Sequence, residues 1–425
     1  MVVAEQPVDD LPAYVERLAF GARQASYVVA RLNGQRRTDA LRAIAAGLRG
    51  ESSTIAAANE RDMRHARESG IGDALLDRLR LDASRIEKMA EAVEEVAGQP
   101  DPIGETLSAH VRPDGLRIEK RRVPLGVVAV IYEARPNVTA DAAALCLKSG
   151  NACILRGGRE SFHSNAAIGQ VIGDSLERSG LVREAVQIVG TTDRALVPLL
   201  LKQNQYIDLV VPRGGEGLIR TVVEQSTIPV IKHYAGNCHV YVHEKCPYDR
   251  AEAIVLNAKL QRPAVCNAAE TILFDASIAE RFLPSIARKL GEAGCEIRGC
   301  ARTIKLLDGV KQATEQDWYT EYLDLVVAVK IVDGLDEAIA HINKYGSGHT
   351  DAILTDSVAA AQRFVEGVDS ANTMVNCSTR LSDGGVYGLG AEIGISTDKL
   401  HARGPMGASD LTTYKYVVTG DGHTR

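Results

Sequence analysis

No apolar run in this chain reaches the ~18 residues that a membrane-spanning helix needs, so no membrane partner is expected. Positive charge is not in excess either. Its 49 Lys and Arg stand against 55 Asp and Glu, a formal net charge of -6, which argues against nucleic acid or an anionic membrane surface as a partner. Cys-x-x-Cys pairs are absent. Eight cysteines, at 146, 153, 238, 246, 266, 295, 300 and 377, are scattered in a way that suggests neither a zinc motif nor a disulfide scaffold. No metal is expected, and in a reducing compartment the thiols should be free. The opening Met-Val-Val-Ala-Glu-Gln-Pro-Val-Asp-Asp lacks the basic-then-apolar pattern of a secretory signal, so the cytoplasm is the expected location. The chain also lacks internal repeats, low-complexity tracts, Gly-x-Gly-x-x-Gly and Gly-x-x-x-x-Gly-Lys-Ser/Thr.

What remains is an ordinary globular composition, 45% hydrophobic and 24% charged, over 425 residues, enough for two or three domains. Residues 11–98 carry heptad-like apolar spacing and predict helices, clearest at 36–48 and 81–96. Strands are expected at 117–123 and 126–132. Strands at 151–155, 185–189, 207–211 and 229–232 then alternate with helices at 161–179, 193–203 and 216–225. A second series has strands at 239–242, 270–274, 325–331, 351–355 and 373–376, with helices at 248–260, 278–291, 335–344 and 358–367. Short apolar strands separated by helices predict an α/β fold with two doubly wound parallel domains. A glycine-rich loop is expected at 381–409 and a final strand at 411–418. Ligands of such units belong at the carboxyl ends of their strands, between the domains.

Three local patterns carry possible chemistry. In Gln-Arg-Pro-Ala-Val-Cys-Asn-Ala-Ala-Glu (261–270), Cys266 sits on a turn between an expected helix and an expected buried strand, flanked by small residues. A thiol so placed is held still yet reachable, as a nucleophile must be, although a half-buried core cysteine reads the same way. Pro-Arg-Gly-Gly-Glu-Gly (212–217) lies between a strand and a helix, where Gly214 and Gly215 could bring N–H groups to a phosphate or simply form a tight turn. Arg156-Gly157-Gly158-Arg159 follows a strand and could fork onto a ribose 2'-phosphate or cap a surface loop.

Taken with Pro124–Ile131, the run Lys-Ser-Gly-Asn (148–151) leading into Arg156, and Thr-Glu-Tyr-Leu (320–323), these patterns resemble the aldehyde dehydrogenase superfamily across almost the whole chain. Within it, the runs 132–139, 261–271 and 375–380 resemble the γ-glutamyl phosphate reductases. The resemblance implies Cys266 as nucleophile and Glu321 as the carboxylate holding the nicotinamide ribose. It implies NADP bound with Arg156, Arg159, Gly214 and Gly215, and γ-glutamyl phosphate reduced through a Cys266 thioester in proline biosynthesis. Such a substrate could be channelled from glutamate 5-kinase. The implied division is an NADP-binding domain at 1–105 and 124–238 and a catalytic domain at 239–383. A small β oligomerisation flap at 106–123 and 409–420 would build a homodimer or homotetramer.

Two departures from the superfamily pattern bear on mechanism. Hydrolytic members place a general-base glutamate in a Glu-Leu-Gly-Gly segment; here the aligned stretch is His233-Tyr234-Ala235-Gly236-Asn237, without a carboxylate. The oxyanion-stabilising Asn of the family's Trp-Asn-Phe-Pro segment is also missing in register, leaving the nearby Asn137 as a candidate beside the backbone N–H of Cys266. Arg135 and Arg380 are candidates for the substrate's carboxylate or phosphate, because a guanidinium fork suits both anions. A cysteine hydrolase or acyltransferase using His233 or His239 is the competing reading.

Overall fold

A computed structural model of the chain describes residues 8–425. It divides into two compact units. One runs through Lys232 and regains 388–394 and 405–425; the other holds His233–Tyr387 and Ile395–Gly404. No helix among the described residues is long and apolar enough to cross a membrane.

The first unit opens with helices, as the spacing predicts. Leu11–Val29, Gly34–Gly50 and Ala83–Gly98 each start where an Asp or Asn side chain accepts from the first turn: Asp10 from Ala13, Asn33 from Arg36 and Asp82 from Arg85. Their buried stripes, such as Leu41, Ile44 and Leu48, follow the helical repeat. The parallel sheet of this unit has the order Val186–Ile188, Ala152–Arg156, Val127–Tyr132, Leu209–Arg213. Val127–Tyr132 is buried along its whole length, as a central parallel strand must be. Next to it in sequence is Ala152–Arg156, on one side, while Leu209–Arg213 lies on the other, so the order reverses at the central strand. The strand expected at 229–232 is reduced to a single bridge, Val210 to Val230, and the helix expected at 193–203 is confined to Leu196–Leu200. Pro229 lacks the N–H that a longer ladder there would need.

A three-stranded antiparallel sheet belongs to the same unit. Arg117–Pro124 pairs with Thr106–Val111 on one side and Thr412–Thr419 on the other. All six residues of the outer strand Thr106–Val111 are exposed.

The second unit is a seven-stranded parallel sheet. Its order is Lys311–Gln312, Glu296–Gly299, Val326–Val332, Ala269–Asp275, Cys238–Val242, Thr350–Leu354, Asn372–Val375. The short strands at 296–299 and 311–312 escaped the sequence pattern because they are too brief to show a period. The segment 381–409, expected as loop, contributes two paired three-residue strands, Gly394–Ser396 and Gly404–Met406.

Candidate active site

In the first unit the functional side chains gather at the carboxyl ends of the strands, where the order reverses. A cleft of about 440 Å³ there is lined by Arg156, Arg159, Arg194, Glu133, Glu160 and Thr192, among others. Arg156 closes its strand and is only 9% exposed, and its Nε has no protein hydrogen-bond partner. Burial lowers its pKa; Glu160 opposes that shift and Arg194 adds to it. A buried guanidinium with an open donor, facing a cleft, fits an anionic or hydroxyl-bearing ligand. Arg159 and Arg194 are exposed at the rim.

Three features of this cleft were not legible in the motifs. Glu160 accepts from the N–H of Ala134 (2.8 Å), whose φ of 30° is strained for a residue with a Cβ. Glu133 accepts from the N–H of Gly215 (2.9 Å), so that amide of the expected phosphate cradle is held by the protein's own carboxylate. Gly214 packs against the same carboxylate: a Cβ there would stand 2.4 Å from Glu133 Oε2, so any larger residue would have to displace that side chain. The local charge of the cleft is therefore three arginines against two glutamates.

Arg135 and Asn137 also belong to the first unit, in the turn after Val127–Tyr132 and at the start of the helix Asn137–Lys148. Asn137 is exposed and its amide donates to Asp141 (2.9 Å). Burial raises the Asp141 carboxyl to about 6 against the pull of that bond.

The second unit assembles its polar groups at the opposite end. Cys266 lies in the turn 265–268, closed by Ala268 N–H donating to Val265 O (3.0 Å), between the helix Tyr248–Leu260 and the strand Ala269–Asp275. It is half-buried. Because the turn precedes its strand, Cys266 sits at the amino ends of the sheet, which corrects the expectation of a carboxyl-end site in this unit. His233 and Gly236 precede Cys238–Val242, His349 precedes Thr350–Leu354, and Glu321 precedes Val326–Val332.

Packing explains why this turn is rigid. Gly236 lies so close that a Cβ on it would stand 1.9 Å from Cys266 O, and its N–H donates to Glu321 Oε1 (2.8 Å). Cys238 Sγ donates to the same Cys266 carbonyl (3.2 Å). Asn267 donates to Ser382 O (2.8 Å). Below the turn, Lys259 and Glu270 form an ion pair at 2.6 Å, both side chains fully buried, and Glu270 also accepts from Leu323 N–H (3.2 Å) in the loop carrying Glu321. Burial pushes the Glu270 carboxyl up to about 7, with Lys259 pulling the other way. One buried pair thus ties both ends of the Cys266 segment to the Glu321 loop.

Donor atoms of His233, Cys266 and His349 all lie within 4.8 Å of one another. Sequence reasoning had His233 but missed His349, since a histidine directly before a strand has no local signature. The other candidate base, His239, is fully buried and bound through Nδ1 to Asp351 (2.9 Å) inside the sheet. Arg380 is half-buried and donates from Nε to Gln261 (2.8 Å), at the end of the helix leading to the Cys266 turn. Burial lowers its pKa, and so does the repulsion of Arg262, a residue the sequence reading passed over. Two mutually repelling guanidiniums beside a thiol favour an anionic ligand.

A model of the aldehyde dehydrogenase family matches residues 7–295. This chain belongs to the aldehyde dehydrogenase family. Curated relatives include the γ-glutamyl phosphate reductase of Moorella thermoacetica, 52% identical over 404 residues (95% of this chain, 97% of the relative). That of Caldanaerobacter subterraneus subsp. tengcongensis is 50% identical over 411 residues (97% and 99%). The crystal structure of γ-glutamyl phosphate reductase from Thermotoga maritima is similar with a TM-score of 0.94 at 45% identity (97% and 99%). An acetylating aldehyde dehydrogenase from Geobacillus thermoglucosidasius shares the fold at 17% identity, with a TM-score of 0.71 (98% and 100%). The family's members are oxidoreductases that use a nicotinamide cofactor.

Proposed function

We propose that this chain reduces L-γ-glutamyl 5-phosphate to L-glutamate 5-semialdehyde with NADPH and releases inorganic phosphate, as a step of proline biosynthesis. The observation that carries the reading is the rigidly held, half-buried Cys266 beside two imidazoles and two guanidiniums, in a chain 52% identical to relatives of that name.

Cys266 Sγ attacks the acyl carbon of the substrate, and the phosphate leaves with the bond's electron pair, giving a thioester. An ordinary thiol has a pKa of about 8.5, so its proton needs an acceptor; His233 and His349 stand beside it. Arg380, with Arg262, supplies positive charge for the substrate's phosphate or α-carboxylate. Arg135 and Asn137 are the first unit's candidates for the same substrate and for the oxyanion, and the Cys266 N–H is the other oxyanion donor in this reading. NADPH would be held by Arg156 and Arg159 with Glu321, and by Gly214 and Gly215 once Glu133 releases the Gly215 N–H, and would supply the hydride that reduces the thioester. Collapse of the resulting thiohemiacetal frees the aldehyde and regenerates the thiolate. The enzyme works in the cytoplasm on an acyl phosphate received from glutamate 5-kinase. It is a homodimer or homotetramer, assembled through the exposed strand Thr106–Val111.

Phosphate is an anion and attacks a thioester without a base, whereas water needs one, at a typical cost of ~10²–10⁴-fold in rate when it is missing. No carboxylate occupies the 233–237 stretch. NADP reduction by glutamate semialdehyde should therefore require added phosphate. Equal steady-state rates with and without it, yielding glutamate, would show that His233 or His349 acts as a hydrolytic base, the alternative that their position beside Cys266 specifically favours.

A further inference from the structure

Scattered cysteines exclude a sequence-local zinc motif, yet the fold brings a thiol and two imidazoles from three separate loops to one place. His349 is fully buried, and His233 and Cys266 are half-buried. Their donor atoms lie within 4.8 Å of one another. Around tetrahedral zinc, with Zn–S of about 2.3 Å and Zn–N of about 2.0–2.1 Å, such atoms stand about 3.4–3.6 Å apart. Closing the difference takes a shift of about 1 Å, within reach of small side-chain rotations.

The second shell is set for the same purpose. His233 Nδ1 is 2.9 Å from Ile395 O, and a carbonyl only accepts, so Nδ1 carries the hydrogen and Nε2 the lone pair. His349 Nδ1 is 2.8 Å from Thr350 Oγ1, whose own hydroxyl donates to Ser382 Oγ (3.0 Å). Thr350 Oγ1 therefore accepts from His349, which again leaves the lone pair on Nε2. An imidazole whose Nδ1–H is anchored and whose Nε2 is a lone pair is the form that binds a transition metal. Cys238, the neighbouring thiol, donates to Cys266 O (3.2 Å) and lies 3.7 Å from His349 Nδ1, on the anchored side of that ring.

We propose that His233, Cys266 and His349 form a binding site for a borderline or soft divalent cation of the zinc, cadmium or cobalt class. The metal occupies the nucleophile reversibly when no acyl group is bound, and the site's fourth position remains open to water. Binding exchanges the Cys266 S–H for an S–metal bond and passes the proton to solvent; nothing is oxidised or reduced. Hard oxygen-seeking ions such as Mg²⁺ should not bind there.

The test uses the reduced full-length protein without substrate or cofactor, so its outcome is independent of the reductase reading. Titration with Co²⁺ should give a thiolate-to-cobalt charge-transfer band that saturates at one equivalent, is displaced by Zn²⁺ and ignores Mg²⁺. Cys266→Ser should abolish the band. His349→Ala and His233→Ala should each weaken Zn²⁺ affinity at least about tenfold, measured by competition with a chromophoric chelator. Should His349→Ala misfold, the half-buried His233→Ala together with Cys266→Ser still decides. Absence of the band in the parent protein overturns the proposal. A band that survives Cys266→Ser, or zinc affinity unchanged by His233→Ala, overturns it equally.

Discussion

The two parallel sheets of this molecule put their chemistry at opposite ends. In the first, Arg156, Glu133 and the Arg213–Gly217 turn follow their strands, at the carboxyl ends where the strand order reverses. In the second, Cys266, His233, His349 and Glu321 all precede theirs. The carboxyl-end rule rests on helix N-termini and loops converging beyond the strands, which suits a phosphate-bearing cofactor. A nucleophile needs something else: a short turn pinned from several sides. The amino ends supply it, with the Gly236 backbone pressed on Cys266, the Cys238 thiol on its carbonyl and the Lys259–Glu270 pair beneath. The first sheet thus offers a cleft, the second a rigid point.

If that contrast is right, damage to one sheet's site should spare the other. The largest effect is expected for Cys266→Ser, a loss of turnover of at least about a thousandfold, as when other nucleophiles are removed. NADPH affinity, read by fluorescence titration, should stay within a few-fold; a parallel loss of binding would break the separation. Next comes Lys259→Met, which leaves Glu270 buried without its partner and should destabilise the protein by about 3–5 kcal/mol in denaturant melts. Arg159→Glu should act only on the first sheet. Losing a charge-assisted contact of about 1.5–3 kcal/mol shifts the NADPH/NADH preference by roughly ten- to a hundredfold toward NADH. An unchanged ratio would mean that the 2'-phosphate is held elsewhere and that the assignment of this loop is wrong.

A smaller effect concerns the buried face of the helix Leu335–Tyr345 in the second unit. His341 is buried, and burial first, then the charges of His239 and Lys330, lowers its pKa from 6.5 to about 2. The unfolded chain therefore binds this proton below pH 6.5 and the folded chain does not, so the folded state loses stability as pH falls through that window. His341→Leu should remove about 2 kcal/mol of the stability difference between pH 7 and pH 5. A variant with the parent's pH slope would refute that assignment.

Fold class was legible because parallel strands such as Val127–Tyr132 and Ala269–Asp275 are buried on both faces and read as unbroken apolar runs. The turn carrying Cys266 was legible because it lies between two elements long enough to recognise. What the sequence hid is mostly made of contacts between distant loops. His349 meets Cys266 only through the pairing of Cys238–Val242 with both Ala269–Asp275 and Thr350–Leu354. Glu133 caps Gly215 across 82 positions. The choice of sheet end failed for a different reason: the carboxyl-end rule describes cofactor clefts, and the thiol does not need one.

The most direct test of the central claim is to trap the acyl-enzyme. The protein is incubated with γ-glutamyl phosphate in the absence of cofactor, quenched in acid and mapped by peptide mass. A glutamyl adduct confined to Cys266, with one phosphate released per site, is the predicted result. An unmodified Cys266 peptide, or an adduct on any other cysteine, would contradict the account.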